Sequence, residues 1–140
     1  MKKHLFTLLL PLIVLMWGCQ ASPGDKYLGK WISTEKNSFD GSPTLLEMVI
    51  EKNGDNFIVT HRATASYTSK PKEVKISASL TADGKLSLDV NAFVSNMIIC
   101  NEKDGTLLWN GVSFKKETPE NLAQIKGQQQ KFNTEKTKKY

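Results

Sequence analysis

The sequence predicts an all-β protein, a small antiparallel up-and-down β-barrel spanning residues 29–116 with a short C-terminal helix after it. Three observations lead there. Apolar and polar residues alternate with a period of two over several short stretches, the pattern of strands with one buried and one wet face. The turn dipeptides Asn53-Gly54, Asp83-Gly84, Asp104-Gly105 and Asn110-Gly111 fall between those stretches. No helical segment separates the strands, which leaves no room for parallel crossovers. Eight or nine short strands with turns at this spacing make a meander that closes as a barrel. An open two-sheet sandwich is the alternative for the same strands.

Residues 29–34 form the first strand, with Trp31 as its large apolar residue. Residues 36–43 hold Asn, Ser, Asp, Gly and Pro and read as a loop. In 44–52, Leu46, Met48 and Ile50 point one way and Glu47 and Glu51 the other. Asn53-Gly54-Asp55 turns this strand into 56–62, and 63–67 extends it until Pro71 breaks the pattern. The cleanest period lies in 73–81, where Val74, Ile76, Ala78 and Leu80 alternate with Lys75, Ser77, Ser79 and Thr81. Asp83-Gly84 leads to a return strand with Leu86, Leu88 and Val90 inward. A further strand spans 92–101, then 106–109, then 112–116 with Val112 and Phe114 inward. The predicted core comprises Trp31, Met48, Ile50, Val74, Ile76, Leu80, Leu86, Leu88, Val90, Ile98 and Phe114. At Thr118 the pattern changes: Thr118 caps, Pro119 takes the first helical position and Glu120 favours the positive helix end. Leu122 and Ile125 pack on the barrel, and Gly127 weakens any continuation. Residues 126–140 then read as a basic flexible tail.

The chain begins like an export signal. Lys2 and Lys3 precede thirteen residues, 5–17, that are apolar except for Thr7 and Pro11, and Gly18-Cys19 follows. A membrane-spanning helix needs about 17–25 apolar residues, more than this run offers. The layout resembles a bacterial lipoprotein signal, in which cleavage falls between Gly18 and Cys19 and the cysteine then carries lipid. The resemblance implies removal of residues 1–18, a membrane anchor at Cys19 and a short tether over 19–28. Gln20 stands where an Asp would retain such a protein at the inner membrane, so the resemblance points to the outer membrane, with the domain facing the periplasm.

Charge is uneven along the 140 residues. Residues 19–125 carry 12 Lys and Arg against 13 Asp and Glu, while 126–140 carry five Lys and one Glu. The net +5 thus belongs to the two ends. A nucleic-acid-binding domain would show a basic patch with aromatic residues on its body, so nucleic acid is excluded as a partner. The tail, with Lys126, Lys131, Lys136, Lys138 and Lys139, is either a solvating segment or a contact for an anionic surface.

Catalytic chemistry finds little support. His61 is the one histidine after the signal, sits beside Arg62 near a strand end and reads as an exposed or interface histidine. Cys100 follows Met97, Ile98 and Ile99 and reads as a buried thiol. Glu47 and Glu51 share a solvated strand face. No His, Cys, Asp or Glu group has metal-ligand spacing, and the glycines lie at turns rather than in a phosphate loop. The reading is a non-enzyme that needs no cofactor and no metal.

Tyr27-Leu28-Gly29-Lys30-Trp31 places Gly-x-Trp at the start of the first strand. This is similar to the lipocalin (calycin) pattern. The resemblance implies a barrel plugged at one end by Trp31, with a late Arg over it; this sequence has no late Arg, and Lys115 or Lys116 stands in for it. It also implies a small apolar ligand. The alternative function is a protein-binding envelope module, an inhibitor, immunity, exclusion or assembly factor, working through loops such as 36–43 and 66–72. An open cavity favours the first and a side-chain-filled barrel the second.

Overall fold

The structure, a computed structural model, describes residues 21–36, 41, 43–64, 72–91 and 96–138. The eight strands are β1 (Gly29–Lys36), β2 (Pro43–Asn53), β3 (Asn56–Thr64), β4 (Lys72–Leu80), β5 (Leu86–Leu88), β6 (Met97–Asn101), β7 (Thr106–Trp109) and β8 (Val112–Lys116). They close in sequence order, each antiparallel to the next, and β8 returns to β1. A 3-10 turn (Asp25–Tyr27) precedes the barrel and one helix, α1 (Pro119–Thr137), follows it. Closure pairs the edges that a sandwich would leave free.

Tight turns make this meander possible. Trp109 pairs with Val112, and the two residues between them, Asn110 and Gly111, have φ of 51° and 78°. Both central residues in the left-handed region give the twist that matches two paired strands. The β2–β3, β4–β5 and β6–β7 turns gather at one end with the start of β1; this is the lower end. The β1–β2, β3–β4, β5–β6 and β7–β8 connections leave at the upper end.

Register carries the core around the barrel in rows. Met48 pairs with His61 and His61 with Val74; Ile50 pairs with Val59 and Val59 with Ile76. Ala78 pairs with Leu88, Leu86 with Ile98, and Leu107 with Cys100 and Phe114. Met48, Ile50, Val59, Leu86, Ile98, Leu107 and Phe114 are all essentially inaccessible. Each such side chain contributes about 1.5–3 kcal/mol by leaving water, so these rows hold the barrel together. Ile76 is buried and Leu80 and Val90 are partly buried against the same core.

Val74 departs from the predicted core. Its register is the inward one, yet it remains 43% exposed. It lies two residues above Ile76 on β4, at the upper rim, where the inner rows of the described residues end.

The helix departs further. It does not stop near Gly127 but continues through Thr137, so residues 126–137 are helical rather than a flexible tail. Thr118 caps it as predicted, its hydroxyl accepting from the Asn121 amide at 3.1 Å. Leu122, Ile125, Gln129 and Phe132 are the half-buried residues beyond the first turn, at spacings of three and four, a single stripe along one helix face. That stripe packs on the outer face of β1 and β2, and Gln129 donates to the Pro43 carbonyl at 3.2 Å. A glycine in a helix interior costs only about 1 kcal/mol, and this packing outweighs it. Ile32, an outward residue of β1, is consequently 1% exposed.

Candidate functional site

The two ends of the barrel differ in construction. At the lower end, Tyr27 is 1% exposed and its hydroxyl donates to the Gly84 carbonyl at 2.8 Å. Trp31 points inward from the start of β1 and donates its indole N–H to the Tyr27 carbonyl at 2.9 Å. Lys116, at the end of β8, sets its ammonium 4.5 Å from the centroid of the Trp31 ring and donates to the Leu28 carbonyl. Of the two lysines the sequence offered to stand over the tryptophan, Lys116 does so.

Gly29 makes that contact possible. Its φ is +111°, a conformation that side-chain-bearing residues rarely adopt. A Cβ there would stand 2.7 Å from the Lys116 ammonium. The Gly-x-Trp pattern therefore has a local reason: the glycine lets the lysine reach over the tryptophan, and the tryptophan closes the barrel.

Ion pairs fasten this plug to separate turns. Lys26 meets Glu102 at 2.6 Å in the β6–β7 turn, and Asp25 meets Lys52 at 2.9 Å at the end of β2. Asp83 and Lys85 pair at 2.8 Å in the β4–β5 turn. The Lys52 and Ser22 bonds hold the Asp25 carboxyl below the usual carboxylate range, and Lys26 does the same to Glu102. Glu102 and Asp83 in turn raise Lys26 and Lys85. Burial pushes the Tyr27 phenol up, against a hydrogen bond from the Cys100 backbone and the nearby Lys26 charge.

Among the described residues, the inward positions at the upper end are apolar residues and one histidine. His61 faces inward, half-buried, from the row of Met48 and Val74. Its ring lies edge-on to Trp109, with centroids 5.0 Å apart and planes at 77°. This corrects the expectation of an exposed or interface histidine. The signal was present, since Phe57, Val59 and His61 follow one period of two, and a residue next to Arg62 on that strand alternates inward. Ala63, Val90 and Val112 pack around the same rim, partly buried. Outside it, Arg62 bonds Glu73 at 2.5 Å and approaches Glu47 at 3.9 Å. The Glu73 bond raises the guanidinium and lowers the carboxyl.

The remaining sequence candidates fall elsewhere. Gly18 and Cys19, the cleavage and lipid positions, lie outside the described residues, as do much of the loops 36–43 and 66–72. Cys100 is half-buried, its strand partner is the inward residue Leu107, and burial pushes its thiol up, which keeps it protonated at neutral pH. Glu47 faces outward toward Arg62. Among the described residues no group of three His, Cys, Asp or Glu is placed to hold a metal ion, and no helix is long and apolar enough to cross a membrane.

Comparison with protein-family models, with curated proteins and with solved structures finds no match for this chain. Its site is therefore read from geometry: a barrel sealed at one end by Tyr27, Trp31 and Lys116, with an apolar rim at the other end formed by His61, Val74 and Trp109. A β-barrel of this form is compatible with a binding domain.

Proposed function

We propose that the chain is an envelope lipoprotein, cut before Cys19 and lipid-anchored there at the periplasmic face of the outer membrane, whose lipocalin-like barrel binds an apolar ligand at its upper rim. The reading is of a binding protein, not an enzyme. One observation carries it. Val74 sits on the inward register but is 43% exposed, beside the His61–Trp109 pair, while the opposite end is sealed. An inward apolar side chain left in contact with water is a place where an apolar group gains by docking, at about 25 cal/mol per Å² covered.

The rest of the interior is filled by side chains, as small eight-stranded barrels usually are. A ligand would therefore insert only an end, an acyl terminus or a ring. The same filled interior favours a second reading, in which the inserted group is an apolar side chain of an envelope protein.

The test uses the protein's own fluorescence. After cleavage the domain retains two tryptophans, Trp31 in the plug and Trp109 at the rim. Titration with a medium-chain fatty acid should change Trp109 emission saturably, and Val74→Glu should weaken binding at least tenfold. Equal binding by wild type and Val74→Glu would remove the rim as the site. Capture of a protein from envelope extracts that Val74→Glu abolishes, with no response to fatty acid, selects the second reading. Mass spectrometry of the purified protein decides the anchor: an unmodified Cys19 would overturn it.

A further inference from the structure

Down the inner register of β4, alternate residues grade from water to core. Lys72 is exposed, Val74 is 43% exposed and Ile76 is buried. Lys72 pairs with Ala63, and Ala63 pairs with Leu46. Leu46 is buried and Ala63 packs partly buried against the core, so Lys72 is the charged member of an otherwise apolar row. A cation thus holds an inward register position just above the apolar floor of the rim.

That cation has no ion-pair partner among the described residues. Arg62 takes both Glu73 and Glu47 on the outer face of the barrel. Asp89 alternates outward from the buried Leu88. The carboxylates described at this end therefore sit outside the barrel, and Lys72 is left to whatever enters the mouth.

Depth is set from below. Ile50, Val59 and Ile76, the next row down, are buried and fill the interior. A chain end resting on Val74 goes no deeper, so the group at its other end is held above the rim. Lys72 lies two residues higher on the strand, at about 3.3 Å per residue, and its flexible four-carbon stem reaches further. One strand thus offers an apolar seat for a tail and a positive charge for a head.

We propose that Lys72 selects the ligand of the rim: an amphiphile with one apolar chain and an anionic head, its chain end on Val74 and its head on the Lys72 ammonium. This rests on the rim reading given above and adds to it the sign of the ligand's charge.

The experiment compares octanoate with octanol at neutral pH, which share a chain and differ in charge. Binding is read from Trp109 emission of the full chain in nanodiscs of zwitterionic lipid. Partition into the bilayer cancels when the octanoate-to-octanol affinity ratio is compared between variants. Exposed ion pairs change an equilibrium by factors of about two to five, so Lys72→Met should lower that ratio by this much and Lys72→Glu by more. High salt should bring the wild-type ratio toward that of Lys72→Met. Lys75→Met, which removes an outward lysine of the same strand, should leave the ratio unchanged. An equal fall in Lys75→Met would overturn the proposal. Octanol binding that Val74→Glu weakens, with one ratio shared by wild type and Lys72→Met, would overturn the role of Lys72 and leave the rim standing. Binding of neither probe, or binding that ignores Val74→Glu, would overturn the rim and the proposal with it.

Discussion

Gly29 is the plug glycine over which Lys116 reaches. Gly29→Ala places a side chain at φ +111°, which costs about 1–3 kcal/mol. The clash itself is milder, because the nearest atom is the end of a flexible lysine that can withdraw. Withdrawal, however, breaks the Lys116 contacts to Leu28 and Trp31. Denaturant unfolding should therefore show Gly29→Ala and Lys116→Met each destabilising, with the double variant losing less than the sum, because the first substitution has already displaced the lysine. The ion pairs around the plug set a pH dependence whose sign is fixed. Asp25, Asp83 and Glu102 have native pKa values below their ordinary 3.8, 3.8 and 4.5. Their contribution is complete above those ordinary values and is lost as pH falls through the depressed ones. Lys26 and Lys85 act oppositely, contributing fully below 10.5 and losing that as pH rises past their raised values. Thermal midpoints should accordingly fall below about pH 4, and Asp25→Asn should flatten the acid limb. Lys26, Asp83, Lys85 and Glu102 are solvent-facing, so salt should shrink their part of the effect.

At the scale of elements, α1 offers the clearest test. Gly127 is exposed in the helix interior and a Cβ there would meet nothing within 4 Å. Gly127→Ala should raise stability by about 0.5–1 kcal/mol, read as a higher denaturation midpoint. Ile32→Ala, under the helix, should cost about 2–5 kcal/mol. The strands were legible in the sequence because period-two alternation and turn glycines act locally. Met48, Ile50, Ile76, Leu86, Leu88, Ile98 and Phe114 are buried as that period requires. Val74 shows the limit, since period reports which way a side chain points and not whether anything covers it. The length of α1 was illegible for a related reason. Its stripe of Leu122, Ile125, Gln129 and Phe132 includes a glutamine, and its value comes from a sheet face that exists only once the barrel closes. The plug was half legible: Gly-x-Trp pointed to Trp31, but the choice of Lys116 over Lys115 depends on β8 pairing with β1.

For the whole molecule, the decisive fact is that the chain enters at the sealed end. Residues 21–24 lead directly into the plug, while the rim and the C-terminus of α1 lie at the other end. The nineteen residues of α1 span roughly 28 Å at 1.5 Å per residue. A charged surface is screened within about 8 Å in physiological salt. If lipid at Cys19 seats the plug on a membrane, Lys131, Lys136 and Lys138 stand well outside the field of that membrane. Removing residues 128–140 should leave binding of the acylated protein to anionic vesicles unchanged, and a salt-sensitive loss on removal would show the barrel lying on its side instead. An upright barrel also has a consequence for traffic. A hydrophobic molecule dissolved in the supporting leaflet has no direct route to Val74 and must first cross water, so a poorly soluble cargo would reach the rim only by hand-over from another carrier. The anchor would then serve as a mooring rather than a source, and the protein as a receiver facing away from the surface that holds it.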